Sequence, residues 1–211
     1  MIDTGKLRAK QIEIIKKLSL KDEFKKIERI VGFDQAFLND KIISAAVVCD
    51  YNSLEIIEKK YVVEEVKIPY IPGFLSFREG PAITKAYRKL KTKPDIVMID
   101  GNGILHPIKA GLATHVGIIL NTPTIGVAKS LLLGVVKNRR VYVDGEVRGY
   151  ELYTKKGCKP IYVSPGHKIS LKTSVKVVKD CVRGHKLPEP LRLAHLYANE
   201  VKSILKKNQI L

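Results

Sequence analysis

Four residues have types and surroundings that could do chemistry. Asp34 interrupts the apolar stretch RIVGFDQAF, and Asp100 ends the apolar stretch DIVMID just before GNG. Glu79 stands directly before Gly80 and Pro81, and His195 lies in LRLAHLYA. A carboxylate inside an apolar strand is costly unless it is paired, protonated or bound to a cation. Two such aspartates in a small chain point to a hard divalent metal, because carboxylate oxygens suit ions such as Mg²⁺. Each residue also has an ordinary reading. Asp100 could make a turn, Asp34 could face solvent, Glu79 could favour a helix N-terminus, and His195 could simply pack on a helix face. Spacing alone does not bring the four together.

Around them lie further candidates. DGNGILHP supplies Gly101 and Gly103, where backbone could approach a ligand, and His106 before Pro107. Lys129 follows the apolar PTIGVA and could serve as a point charge for phosphate. In PYIPGF, Tyr70 sits between Pro69 and Pro72, with Gly73 and Leu75 beyond. Proline fixes φ and removes a donor, so the ring is expected on a stiff segment outside any strand ladder.

The elements that must position these residues follow from periodicity. A helix is expected over 4–18, with Thr4 as N-cap and Leu7, Ile14, Ile15 and Leu18 at helical spacing. Residues 29–37 and 42–51 read as strands joined at LNDK, with a third, interrupted strand within 53–70. Gly80 and Pro81 open a helix, since proline is favourable at the first helical position. DIVMID reads as a buried central strand, followed by a helix from Pro107 and a strand over 123–128. Asp144-Gly145 signals a hairpin, and KPIYVS is another strand. Two helices close the chain, the last carrying Leu191, Ala194, Ala198, Val201 and Leu205 as an apolar stripe. Hairpins first and β–α alternation after imply an α/β mixed sheet with helices on its faces, a single domain over 1–211.

Composition bounds the partners. The chain has 211 residues, with Lys plus Arg 38 against Asp plus Glu 21, a net charge of +17. A field of that sign attracts polyanions. Cys49, Cys158 and Cys181 form neither a disulfide framework nor a CxxC site, which fits a reducing cytosol. MIDTGKLRAK lacks the hydrophobic stretch of a signal peptide, and no apolar run is long enough to span a membrane.

The segments PYIPGFLSFREGP, PDIVMIDGNGILHP, PTIGVAKS, VSPGH and LPEPLRLAH occur in this order in endonuclease V, the deoxyinosine-specific repair nuclease. The resemblance runs from about residue 5 to 205. It implies an RNase H-like fold in which Asp34, Glu79 and Asp100 hold Mg²⁺, with Mn²⁺ as a substitute. It casts Lys129 as the active-site lysine and His195 as a histidine near the metal. Tyr70 with Pro72 becomes a wedge that enters the duplex. Leu75, Gly101, Gly103 and His106 line a pocket for the extruded base. The implied reaction is hydrolysis of the second phosphodiester 3′ to hypoxanthine in damaged DNA, by a cytoplasmic monomer with no membrane partner. Departures are small: Gln35-Ala36-Phe37 replaces smaller residues, Gly101-Asn102 follows Asp100, and the segment between LLLG and the Asp144 hairpin is short. Three rivals share parts of this pattern: an inosine-specific endoribonuclease acting on RNA, the incision half of an excision nuclease, and a basic binder without catalysis.

Overall fold

The architecture is that of a computed structural model describing residues 2–208. Three long strands run first as a meander: β1 (Arg29–Leu38), β2 (Lys41–Asp50) and β3 (Ile56–Glu65). Then β4 (Ile96–Asp100) and β5 (Thr124–Ala128) lie parallel to β1, in the order β1-β4-β5. Next in sequence come β6 (Val135–Lys137), β7 (Arg140–Val143), β8 (Glu146–Leu152) and β9 (Ile161–His167). Among the described residues the nine strands form one mixed sheet, β3-β2-β1-β4-β5-β9-β8-β7-β6.

Alternation along the strands sends side chains to two cores. Val31, Phe33, Val97 and Ile99 face α2 (Leu75–Arg88) and α3 (Leu112–Leu120). Ile30, Ile96, Met98, Val127 and Val163 face α4 (Leu171–Asp180) and α5 (Glu189–Asn208). The central strands are apolar on both sides because helices cover both sides. The predicted stripe on α5 is borne out at Leu191, Ala194, Ala198 and Val201, all buried. Asp144-Gly145 turns β7 into β8.

Three expectations are corrected. The first helix, α1 (Thr4–Ile15), is capped by Asp3, whose carboxylate accepts from the Lys6 amide at 3.0 Å, and Thr4 is already helical. The helix assigned to Gly80-Pro81 begins at Leu75, so Pro81 is interior and Glu79 lies within the helix. Ser76, Glu79, Gly80, Ile83 and Ala86 share its buried stripe, and burying that stripe overrides the local start signal. The helix expected from Pro107 begins at Leu112. His106 delays it: its Nδ1 accepts from the Ile108 and Ala110 amides at 3.4 and 3.3 Å, winding residues 106–110 into a turn.

Candidate active site

Asp34 is in mid-β1, paired with Ala45 of β2, and points to the α5 side of the sheet. Two residues earlier, Gly32 lets α5 come close. A Cβ there would stand 2.1 Å from the Pro190 carbonyl oxygen, so no other residue permits this approach. The helix is thereby laid across β1, and His195 reaches Asp34 with Nδ1 2.6 Å from Oδ2. The other ring nitrogen, Nε2, lies 3.3 Å from the Asn199 amide nitrogen. Nδ1–H therefore donates to the carboxylate while Nε2 can accept from Asn199.

Asp100 ends β4, and Lys129 follows β5, its direct parallel neighbour. Their side chains form an ion pair. Burial of Lys129 would lower its pKa, but the Asp100 carboxylate outweighs it and holds the ammonium above its usual value. Glu79 comes from α2. It is pushed up to about 7, first by burial and then by the charges of Asp100 and Asp34. Asp100 is pushed up to about 6, again by burial first and then by Asp34, with Lys129 opposing. Asp34 and Glu79 are only 7% and 8% exposed.

Glu79 and Asp100, both raised by burial and by the carboxylates beside them, describe a site short of positive charge. Hard oxygen donors and excess negative charge fit a divalent cation in their chemistry. Among the described residues, however, no three His, Cys, Asp or Glu side chains are close enough to enclose a metal as they stand. Asp34 is engaged by His195 and Asp100 by Lys129, so the carboxylates are near neighbours rather than a closed shell.

A cleft of about 280 Å³ opens beside them. Its walls include Leu75, Ser76, Asn102, Ala128 and Leu131. These are sequence neighbours of Glu79, Asp100 and Lys129, so the cleft and the acids share the same elements. Two of its polar atoms, Ser76 Oγ and Asn102 Oδ1, are buried without a hydrogen-bond partner. Leaving such atoms unpaired costs free energy. Tyr70 and His106 line the cleft, as does Leu75. Pro72, Gly101 and Gly103 do not line it. The amide of Gly103 is committed to Ser164 Oγ at 2.8 Å, and a Cβ there would meet the Pro165 carbonyl at 2.1 Å, so this glycine packs the turn against β9.

Tyr70 is 65% exposed, which rules out a core role. Its loop is held at the Ile68 carbonyl by Arg78 at 2.9 Å and, from behind, at the Gly73 carbonyl oxygen. Gln11 Nε2 of α1 donates to it at 2.8 Å, and His106 Nε2 at 3.1 Å. Because His106 Nδ1 is already an acceptor, the proton must sit on Nε2. Burial lowers the pKa of His106 and favours this neutral form. The loop carrying His106 is held in turn by Arg148, which donates to the His106 and Pro107 carbonyls at 3.1 and 3.2 Å. Sequence reasoning missed Gln11, Ser76, Asn102 and Arg148. A polar residue between charged or apolar neighbours gives no signal until the fold supplies its partner.

The sequence model of the Endonuclease V family matches residues 12–196. The chain belongs to the endonuclease V family. It is 43% identical over 209 residues to Endonuclease V of Dictyoglomus thermophilum, covering 95% of this chain and 92% of that one. The crystal structure of Endonuclease V from Bacillus subtilis superposes with a TM-score of 0.92 at 32% identity, over 99% of this chain and 95% of that one. The Ciona intestinalis Endonuclease V, in complex with a 24mer DNA containing an inosine followed by a ribo-adenosine, gives 0.87 at 29% identity, over 95% and 98%. The fold is thus the RNase H-like fold of endonuclease V. The chain is a nuclease, a hydrolase of phosphodiester bonds, in a DNA-repair family that is generally metal-dependent. Among the described residues no helix is long and apolar enough to cross a membrane.

Proposed function

We propose that this endonuclease V cleaves DNA containing deoxyinosine, at the second phosphodiester 3′ to the lesion, using Mg²⁺ or in its place Mn²⁺. The observation that carries this reading is the exposed Tyr70 ring at a largely apolar cleft whose walls come from the sequence neighbours of Glu79, Asp100 and Lys129. A base turned out of the stack needs a pocket to enter and a group to fill the gap it leaves. The cleft can take a flipped base, with Ser76 and Asn102 among its walls beside the apolar Leu75 and Leu131. The Tyr70 ring, beside Pro69 and Pro72, replaces the lost stacking.

Asp34, Glu79 and Asp100 would hold the metal, which when bound supplies a Lewis acid and a water of lowered pKa. The chain's own groups do the rest. His195 Nδ1–H fixes the Asp34 carboxylate in one orientation. Lys129, kept cationic by Asp100, offers an ammonium to the phosphate whose charge grows in the transition state. The solvent-facing edge of the cleft leaves room for the strand to enter, and the +17 charge draws it there.

A second reading is cleavage of inosine-containing RNA. It is supported by the Ciona relative, whose bound strand carries a ribonucleotide directly after the inosine. Labelled strands containing deoxyinosine, inosine or neither, incubated with and without Mg²⁺, test both. Mg²⁺-dependent cutting confined to deoxyinosine strands is the expected result. Equal cutting of undamaged strands would overturn the lesion reading, and cutting of inosine RNA alone would replace it with the second.

A further inference from the structure

A concavity larger than the cleft lies away from the carboxylates. It is a groove of about 660 Å³ between the β7–β8 hairpin and α4. Its floor is apolar: Val147, Tyr150, Leu171 and Val175. Its rim is cationic: Arg140 from β7, with Lys172, Lys176 and Lys179 from α4. The three lysines fall at i, i+4 and i+7, so they stand in one row along about 10 Å of helix. All four cations are exposed. The one carboxylate in the groove, Asp180, is already taken up by Tyr51 Oη at 2.7 Å and Lys176 Nζ at 2.6 Å. Lys179 Nζ stands 5.8 Å from the centroid of the Tyr150 ring. Just outside the groove Arg139 stacks in the same way on the half-exposed Tyr153, at 5.3 Å.

Charge selects a polyanion, and the floor narrows the choice. A duplex presents phosphates outward and hides its base faces, so aliphatic side chains and a tyrosine ring beneath the cations would gain nothing from it. An unpaired strand offers both phosphates and base faces. The sheet register adds a reason of position. Asp100 pairs with Val127, Val127 with Val163, and Val163 with Tyr150. Tyr150 is therefore three strand spacings from Asp100 on one row and the same face, about 14 Å. A strand held at the carboxylates keeps its flank at high effective concentration over the groove, which an acidic protein partner would lack.

We propose that this groove binds a single-stranded segment of nucleic acid, with bases on Tyr150 and the aliphatic floor and phosphates on the row of lysines. The site is separate from the lesion cleft and does not depend on which lesion is cut. The experiment uses the full chain and undamaged oligonucleotides of one sequence, single-stranded and duplex, with binding followed by anisotropy across a salt series. Two variants are compared with the parent: Lys172→Gln/Lys176→Gln/Lys179→Gln, and Tyr150→Leu, which keeps apolar packing. The triple variant is expected to lose about tenfold in single-strand affinity and to flatten the log–log salt slope by about 1.4, two phosphate contacts at about 0.7 each from Lys172 and Lys179, Lys176 being paired with Asp180. Tyr150→Leu is expected to lose about fivefold on the single strand, with the slope kept and duplex binding unchanged. Melting temperatures, and cleavage of a short inosine duplex that ends before the groove, should match the parent. Parent-like single-strand binding by both variants overturns the proposal. So does an equal loss on single strand, duplex and polyglutamate, which would mark an unspecific cationic patch. If the parent binds as expected but cuts no inosine strand, the proposed function fails and the groove stands.

Discussion

Replacing Gln11 by glutamate keeps the size of the side chain and its partner Arg8, yet turns a donor toward the Gly73 carbonyl into an acceptor. Gln11 is fully buried, whereas the rest of α1 is half-buried or exposed. Its Oε1 accepts from Arg8 at 3.0 Å, and the Arg8 guanidinium lies 4.8 Å from the Phe74 ring centroid. The helix thus reaches the Tyr70 loop through Gln11 itself and through Arg8. Losing one of the two hydrogen bonds at Gly73 costs about 0.5–1.5 kcal/mol. Where that bond holds the loop in its binding form, the competent fraction falls by the same free energy, and apparent affinity for lesion DNA falls about 2- to 12-fold. Gln11→Ala should lie near the low end and Gln11→Glu near or above the high end, because a carboxylate would face the carbonyl oxygen. Neither change touches Asp34, Glu79, Asp100 or Lys129, so kcat at saturating substrate should hold while KM rises. Melting temperature should fall by up to about 6 °C, at about 2–4 °C per kcal/mol for a chain of this size. Steady-state kinetics on a deoxyinosine duplex, beside thermal melts, reads all three quantities. Unchanged KM in Gln11→Glu, or a fall in kcat with KM intact, would refute the idea that α1 holds the loop for binding.

Asp34→Asn and Asp100→Asn should each abolish metal-dependent cleavage while leaving folding and lesion binding largely intact, because each removes a hard ligand without changing side-chain volume; turnover at the parent rate removes that residue from the site. Tyr70→Ala should weaken binding to lesion DNA by roughly 5- to 150-fold, the worth of about 1–3 kcal/mol of stacking. Its melting temperature should stay near the parent because the ring is exposed, and a large drop with normal binding contradicts the wedge. Burial lowers His115 to about 4, and the group is only 5% exposed. Its folded pKa lies below the unfolded value, so the unfolded chain takes the proton first. Stability contributed by neutral His115 is present above about pH 6.5 and lost toward pH 4, by up to about 3 kcal/mol. Urea melts at pH 7 and pH 4.5 should show a smaller loss in His115→Leu than in the parent, and equal losses would refute the assignment.

The strands that carry the acids were legible because their pattern is enforced from both sides. A run such as IVMID has no polar face to disguise it, and a charge at its end is conspicuous. The fold then places Asp34 against His195 and Asp100 against Lys129, contacts that link residues far apart in sequence. Helix starts were less legible because local signals compete with burial. Gly80-Pro81 is a sound start in isolation, yet the stripe from Ser76 to Ala86 packs against α3, and that face sets the true beginning. The sequence suggests a ligand-side role for His106. Its nitrogens also organise the turn before α3 and support the Tyr70 loop, roles set by partners more than 30 residues away in the case of Gly73.

Gly32 carries a signal of its own in the sequence. A glycine between Val31 and Phe33 weakens a strand through lost packing and extra unfolded-state freedom. In a strand otherwise so apolar, that cost is tolerated where another backbone must pass at close range. Here the passing backbone is Pro190 and Leu191 at the start of α5. The same helix carries His195 one turn on, directly over Asp34 two residues along β1. The glycine, the helix and the histidine are therefore one device. Without the close approach His195 would stand off the sheet, and the buried Asp34 carboxylate would lose the donor that orients it.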